Sequence, residues 1–170
     1  DGMSQAEIEA FNLGAWQLSM SWEIFDWLRG ITRLPLVVKG VLGSSDARRA
    51  VKEQIEAIVV SNHGGRRLDG MPATIDRMHA VAEAVNGKAE LLLDSGIRRG
   101  TDVMKALALG ARAVLVGRPQ AWSLAAGGEA GVRQMLEYLR QELEMVMVSC
   151  GCPDVGAITA DLLLNKPTAG

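Results

Sequence analysis

The chain has 170 residues, of which 48% are hydrophobic and 22% charged, and its formal net charge is −2. This length and apolar content can supply one sizeable core and exclude an intrinsically disordered chain. The small net charge leads us to expect no nucleic-acid partner, and no stretch is long and apolar enough for a transmembrane helix.

The N-terminal part predicts one helix before the first strand. Residues 21–32, SWEIFDWLRGIT, have Ser21 as a candidate N-cap. Four continuous aliphatic runs follow, at 34–40, 56–62, 89–96 and 111–118. Apolar runs that do not alternate with polar residues are typical of strands buried on both faces of a parallel sheet.

Helical patterns alternate with these runs, at 44–55, 72–86, 101–109 and 131–149. Ser44 is a candidate N-cap, Pro72 fits a first helical turn, and Gly110 fits the C′ position after a helix. The sequence therefore predicts an α/β fold of four consecutive β-α units, within a single domain that spans residues 1–170.

Two architectures fit these units, an open doubly wound sheet and part of a (β/α)8 TIM barrel. The chain has neither the GxGxxG dinucleotide fingerprint nor the P-loop. In both architectures ligands bind at the C-terminal ends of the strands, so the residues at those ends are candidates for function. They are Lys39, Ser61, His63, Asp94, Arg98, Gly117 and Arg118.

The last two strand ends predict an anion site. Gly96 and Arg98 follow the third strand, and Gly117 and Arg118 follow the fourth. Small residues let backbone N–H groups approach an anion, and arginine supplies a planar charged fork. We interpret these residues as holding the phosphate of a cofactor or substrate; the alternative is turn glycines and surface arginines.

The segment VVSNHGGRRLDG, residues 59–70, predicts a catalytic base beside a carboxylate clamp. It contains His63, one of only two histidines in the chain, and Arg66. Histidine titrates near neutral pH and is the commonest general base. Lys39, after a buried run, would stabilise negative charge on a cofactor ring, form a Schiff base with a carbonyl substrate, or reach solvent.

The two cysteines, Cys150 and Cys152, are too close for an ordinary disulfide. No second cluster of ligands accompanies them, so we predict no metal site. Their number favours a reducing compartment, and we expect a cytoplasmic protein, with peripheral membrane attachment as the other possibility.

Five segments resemble one family in order and spacing: LPLVVKGV, VVSNHGGRRLDG, PATI, LLDSGIRRGTDVMKALALGA and VGRP. The family is that of the FMN-dependent α-hydroxy acid dehydrogenases and oxidases, which includes glycolate oxidase, lactate oxidase, mandelate dehydrogenase and the flavin domain of flavocytochrome b2. The chain resembles its C-terminal half. The resemblance implies a (β/α)8 barrel with FMN at the C-terminal ends of its strands.

The same resemblance implies roles for individual residues. Lys39 would lie near the N1–C2 carbonyl edge of the flavin, and Ser61 would contact the ring. His63 would be the active-site base, and Arg66 would bind the substrate carboxylate. The phosphate-bearing chain of FMN would be held by Asp94, Ser95, Gly96, Ile97, Arg98, Gly117 and Arg118.

The implied reaction oxidises an L-2-hydroxy acid to a 2-oxo acid, with oxygen, a quinone or a cytochrome as electron acceptor. His63 would take the hydroxyl proton during hydride transfer, or the C2 proton in the rival carbanion description; both stay open. The family also implies a homo-oligomer, commonly a tetramer.

The chain departs from the family in two ways. It has four of the eight strands, so turnover is expected to need the missing N-terminal half of the barrel. A non-catalytic FMN- or phosphate-binding half barrel is the alternative function. In addition, Gln54 or a neighbour stands where the family usually has a glycine, and such a residue must avoid a left-handed C-cap or bear strain.

Overall fold

The structure is a computed structural model that describes residues 4–7 and 21–164. The chain divides into two compact units, Asp1–Leu34 and Pro35–Gly170. The first unit contains helix α1, Ile24–Ile31. The prediction that Ser21 caps this helix is wrong, because the N-cap position belongs to Glu23 and the Ser21 hydroxyl donates to the Glu23 carboxylate at 3.3 Å.

The second unit alternates parallel strands with helices, as the aliphatic runs predict. Its elements are β1 (Val37–Val41), α2 (Ser44–Lys52), β2 (Ala57–Val60), α3 (Thr74–Val85), β3 (Glu90–Leu93), α4 (Gly100–Ala108), β4 (Ala113–Val114) and α5 (Arg118–Ser149). Short 3-10 turns lie at His63–Gly65, Val155–Ala157 and Ala160–Leu162. Helix α5 starts earlier than predicted and loses helical geometry at Gly127 and Gly128.

The strands pair in chain order, β1-β2-β3-β4, and all three pairings are parallel. An open doubly wound sheet reverses its strand order at a switch point, and the described strands show no such reversal. Their succession is that of a barrel segment. Within the described part of the chain, β1 and β4 are the two edges of the sheet, and Val37 on β1 is 53% exposed.

The core lies between the sheet and its helices. Every residue of β2 is buried, which is the result expected for a continuous aliphatic run. Ile58 and Val60 of β2 are fully buried, as are Met78 and Val81 of α3 and Leu93 of β3. This packing holds the strand ends that carry the candidate site residues in fixed positions.

Two further predicted helix boundaries are wrong, and one is confirmed. Ser44 is the first residue of α2 rather than its cap, and its hydroxyl donates to the Ala80 carbonyl at 3.2 Å. Pro72 lies outside α3, which begins at Thr74. Gly110 follows α4 with a φ of 100°, as a C′ glycine should.

Helix α2 ends on a left-handed residue that is not glycine. Gln54 has a φ of 55°. Its N–H donates to the Val51 carbonyl at 3.1 Å, and the Ile55 N–H donates to the Ala50 carbonyl at 3.0 Å, which together form a Schellman motif. Of the two outcomes predicted for this position, Gln54 adopts the strained one.

No helix within the described ranges is both long enough and apolar enough to span a bilayer.

Candidate functional site

A cleft of about 470 Å³ opens at the C-terminal ends of the strands. It is lined by ten of the eleven predicted site residues: Lys39, His63, Arg66, Asp94, Ser95, Gly96, Ile97, Arg98, Gly117 and Arg118. The eleventh, Ser61, is 1% exposed, and its hydroxyl accepts a hydrogen bond from the Lys39 ammonium. Five further residues line the cleft without having been predicted from the sequence: Gly64, Leu115, Val116, Gln120 and Ala121.

Lys39 reaches the cleft because β1 contains a bulge. Lys39 pairs with Val59 and Val41 pairs with the next residue, Val60, so Gly40 is the extra residue on β1. Gly40 has a φ of 107°, which an L side chain rarely adopts. Bulges of this kind change the direction of neighbouring side chains. Here Val41 is buried in the core while Lys39 lines the cleft.

One ion pair connects three strand ends. The Lys39 ammonium lies 2.6 Å from a carboxylate oxygen of Asp94 and 2.8 Å from the Ser61 hydroxyl oxygen. Lys39 is on β1, Ser61 follows β2, and Asp94 follows β3, so the contacts bridge across the middle strand. The expectation that Lys39 follows a buried run is wrong, because only Val41 of β1 is buried, but Lys39 does have an acidic partner in Asp94.

The Asp94 carboxylate is stabilised in its ionised form. Burial alone would raise its pKa, but hydrogen bonds from Lys39, Ser61 and Ser95, together with the Lys39 charge, hold the pKa below its usual value. The negative charge is therefore present wherever the protein works near neutral pH, and it keeps the lysine at this edge of the sheet.

His63 lies on a tight turn directly after β2. Its φ is 57°, and the Asn62 side chain accepts a hydrogen bond from the Gly64 N–H at 3.0 Å. The His63 N–H donates to the Ser61 hydroxyl at 3.1 Å. Left-handed backbone at a residue other than glycine is strained, and such strain clusters at functional sites.

The His63 imidazole favours its neutral form. Desolvation lowers its pKa, and the positive charges of Lys39, Arg67 and Arg66 lower it further, while the Asp94 carboxylate opposes them. A neutral imidazole can accept a proton. The electrostatic surroundings therefore suit the role of a general base.

The end of the cleft formed after β3 and β4 combines glycines with arginines. A Cβ atom added to Gly96 or Gly117 would meet no other atom within 4 Å, so open space lies in front of both residues. Arg98 and Arg118 line the same cleft. Glycine backbone and two guanidinium groups form a donor set that fits a phosphate group.

Arg98 also has an aromatic contact that the sequence analysis did not identify. Its guanidinium carbon lies 5.3 Å from the centre of the Trp122 ring, at a distance typical of a cation–π contact. Trp122 lies on α5, four residues after Arg118. This spacing places both residues on one face of the helix, and it is the sequence signal that could have pointed to Trp122. The contact holds one of the two arginines toward the start of α5.

Within residues 4–7 and 21–164, no group of three or more His, Cys, Asp or Glu side chains could hold a metal ion.

Comparison with known proteins gives one consistent result. The family model described as FMN-dependent dehydrogenase matches residues 1–165. 2-Hydroxyacid oxidase 1 of Homo sapiens is 54% identical over 151 residues, covering 89% of this chain and 41% of that protein. A peroxisomal (S)-2-hydroxyacid oxidase of Arabidopsis thaliana is 51% identical over 152 residues, covering 89% and 42%.

A solved structure of a mandelate oxidase variant, which carries a monooxide FMN adduct, is 52% identical. It superposes with a TM-score of 0.79 over 82% of this chain and 44% of that one. Mandelate oxidase is a TIM-barrel enzyme, so the prediction of part of a (β/α)8 barrel is confirmed. The chain spans less than half the length of each of these three proteins.

Proposed function

The chain belongs to the family of FMN-dependent dehydrogenases, which confirms the FMN cofactor that the resemblance implied, and from that membership we propose a function. We propose that it forms the FMN- and substrate-binding part of one barrel domain that oxidises L-2-hydroxy acids to 2-oxo acids. The observation that carries the proposal is the single cleft that brings together His63, Arg66 and the cationic phosphate end. The relatives' names, 2-hydroxyacid oxidase among them, support the substrate class.

The residues present in the cleft fit FMN. Arg98, Arg118 and the backbone at Gly96 and Gly117 would hold the phosphate, in a donor set of cations and accessible N–H groups. Asp94, Ser95 and Ile97 line the same end of the cleft. Bound there, FMN would accept the two electrons that leave the alcohol carbon.

His63 and Arg66 would handle the substrate. The Arg66 guanidinium would bind the substrate carboxylate through two parallel hydrogen bonds, which orients the hydroxyl-bearing carbon. The neutral His63 imidazole would take the proton released as the alcohol becomes a ketone. Its lowered pKa keeps it unprotonated at neutral pH, so it is ready to act as a base.

Lys39 would act by charge rather than as a nucleophile. Its ammonium is engaged by Asp94 and Ser61, so it is held as a cation at a fixed position on the cleft wall. A fixed cation stabilises negative charge that develops on a neighbouring reduced ring. This favours the cofactor role over a Schiff base, which needs a deprotonated amine.

Turnover would require the rest of the barrel. The chain covers 41–44% of its relatives, and the described sheet has unpaired edges at β1 and β4. The alternative, a half barrel that binds FMN without catalysis, predicts bound flavin that no hydroxy acid reduces. We further propose that oxygen is the electron acceptor, as it is in enzymes named oxidases. We also propose that the protein is cytoplasmic and forms a tetramer, an oligomeric state that light scattering would test.

An anaerobic absorbance titration tests the proposal. The chain is loaded with FMN, alone and co-expressed with the N-terminal portion of the human relative, and titrated with glycolate, L-lactate, L-mandelate and longer L-2-hydroxy acids. We expect the flavin band to bleach in the completed barrel, and we expect His63→Ala to abolish bleaching. His79→Ala is the matched control, because His79 lies on α3 beside Glu83 and outside the cleft.

Bleaching that survives His63→Ala would contradict the role of His63. Bound flavin that no acid bleaches, even in the completed barrel, would favour the non-catalytic alternative.

A further inference from the structure

The residue after His63 is anchored from two neighbouring strand ends. The Gly64 N–H lies 3.0 Å from the Ser95 hydroxyl oxygen, in addition to its bond with Asn62. The Gly64 carbonyl accepts a hydrogen bond of 2.6 Å from the Arg118 guanidinium. Ser95 follows β3, and Arg118 begins α5 after β4. Both polar backbone groups of Gly64 are therefore fixed by residues far away in sequence.

Ser95 is an unusual residue for its backbone conformation. Its φ of 70° lies in the left-handed region, where glycine is favoured. What serine adds is a hydroxyl group with two partners. It donates to Asp94 Oδ1 at 2.7 Å and accepts from the Gly64 N–H at 3.0 Å. The hydroxyl thus connects the His63 turn to the carboxylate that pairs with Lys39.

We propose that Ser95 is a positioning residue for His63. Its hydroxyl restrains the Gly64 N–H while Arg118 restrains the Gly64 carbonyl, and together they fix the turn that presents the imidazole to the cleft. Because His63 itself has a left-handed φ, the turn is strained and needs restraint from outside. The link to catalysis rests on the proposed function, whereas the link between Ser95 and the turn does not.

The pKa of His63 depends on where its imidazole lies, because charged groups face it. They are Lys39, Arg66, Arg67 and Asp94. Desolvation and the three cations lower the pKa of His63, so an imidazole that moves out toward solvent should have a higher pKa. His79, which lies against Glu83 on α3, provides an internal reference in the same molecule.

NMR on the full 170-residue chain tests the proposal with Ser95→Ala and Ser95→Gly. Ser95→Ala keeps the backbone strain and Ser95→Gly removes it, so the two variants should differ in thermal stability. Both lose the hydroxyl, so both should change the Gly64 amide and the His63 imidazole in the same way. We expect hydrogen exchange at the Gly64 amide to accelerate about 3–10-fold, because the amide loses one of its two hydrogen-bond acceptors. We expect the pKa of His63 to rise toward its usual value.

Ser44→Ala is the matched control, since it also removes a hydroxyl that bonds to another element, here the Ala80 carbonyl. It should leave Gly64 exchange and both histidines unchanged. Unchanged Gly64 exchange and His63 titration in both Ser95 variants would overturn the proposal. Effects that follow the stability of each variant, rather than the missing hydroxyl, would overturn it as well.

Failure of the positioning role and failure of the proposed function give different experimental results. Changes at Gly64 and His63 in both Ser95 variants support the positioning role, whether or not the completed barrel oxidises any hydroxy acid. An absence of FMN-dependent oxidation in that barrel counts against the proposed function alone.

Discussion

Gln54 offers a direct way to measure backbone strain in this fold. It occupies the C′ position of a Schellman motif after α2 with a φ of 55°. Gly110 occupies the equivalent position after α4, where the Gly110 and Ala111 N–H groups donate to the Leu107 and Ala106 carbonyls. The two helix ends therefore form a natural pair, one with a side chain in the left-handed region and one without.

We predict that Gln54→Gly stabilises the protein. A left-handed residue other than glycine costs about 1–2 kcal/mol. Glycine also raises the entropy of the unfolded chain, which lowers the free energy of unfolding by about 0.4–1 kcal/mol and offsets part of that gain. The middles of these two ranges differ by about 0.8 kcal/mol, and this net gain in the free energy of unfolding corresponds to about 2–3 °C in Tm for a domain of this size. Differential scanning calorimetry would measure it.

The reverse change at the second helix end is the control. A Cβ atom at Gly110 would lie 3.7 Å from the Ala82 Cβ, an ordinary contact, so Gly110→Ala isolates the backbone contribution. It should lower Tm by an amount similar to the gain from Gln54→Gly. A lower or unchanged Tm for Gln54→Gly, with Gly110→Ala destabilising as expected, would refute the reasoning, because contacts of the Gln54 side chain would then outweigh its strain.

Two further predictions concern packing and charge. Gly100→Ala should lower Tm by several degrees, since a Cβ there would clash with the backbone nitrogen of Leu143 on α5. Gly43→Ala meets only an ordinary 3.6 Å contact and should lower Tm by less, because it changes only the N-cap residue of α2; equal effects in calorimetry would contradict this. Lys39→Met should raise the pKa of His63, because it removes a nearby positive charge. A base with a raised pKa is protonated at higher pH, so the acid limb of activity should move upward; a pKa that stays the same or falls in NMR titration would be the contrary result.

The sequence predicted which candidate residues lie together, because strand ends are easy to locate in a parallel sheet. Continuous aliphatic runs marked the strands, and the parallel register brought Lys39, His63, Asp94 and Arg118 to one edge, as the cleft shows. Helix starts were harder. The Ser44 hydroxyl donates to the Ala80 carbonyl of another helix instead of capping its own helix. A tertiary contact of this kind cannot be recognised from the residues around Ser44.

The contacts inside the site were beyond sequence reasoning. The pairing of Lys39 with Asp94 depends on the bulge at Gly40 and on how far each side chain reaches across β2. The contact of Arg118 with the Gly64 carbonyl likewise depends on where β4 delivers the chain. Only the glycine after Lys39 gave a hint, and a glycine in a strand has several explanations.

The most direct test of the central claim is the binding of FMN and riboflavin to this chain, measured by quenching of flavin fluorescence. If the arginines and glycines of the cleft hold the phosphate, FMN should bind about 10–100-fold more tightly than riboflavin, since hydrogen bonds to charged groups contribute about 1.5–3 kcal/mol. Arg118→Met should remove most of that preference. Equal affinity for the two flavins, or a preference that survives Arg118→Met, would contradict the account of this cleft as the FMN site.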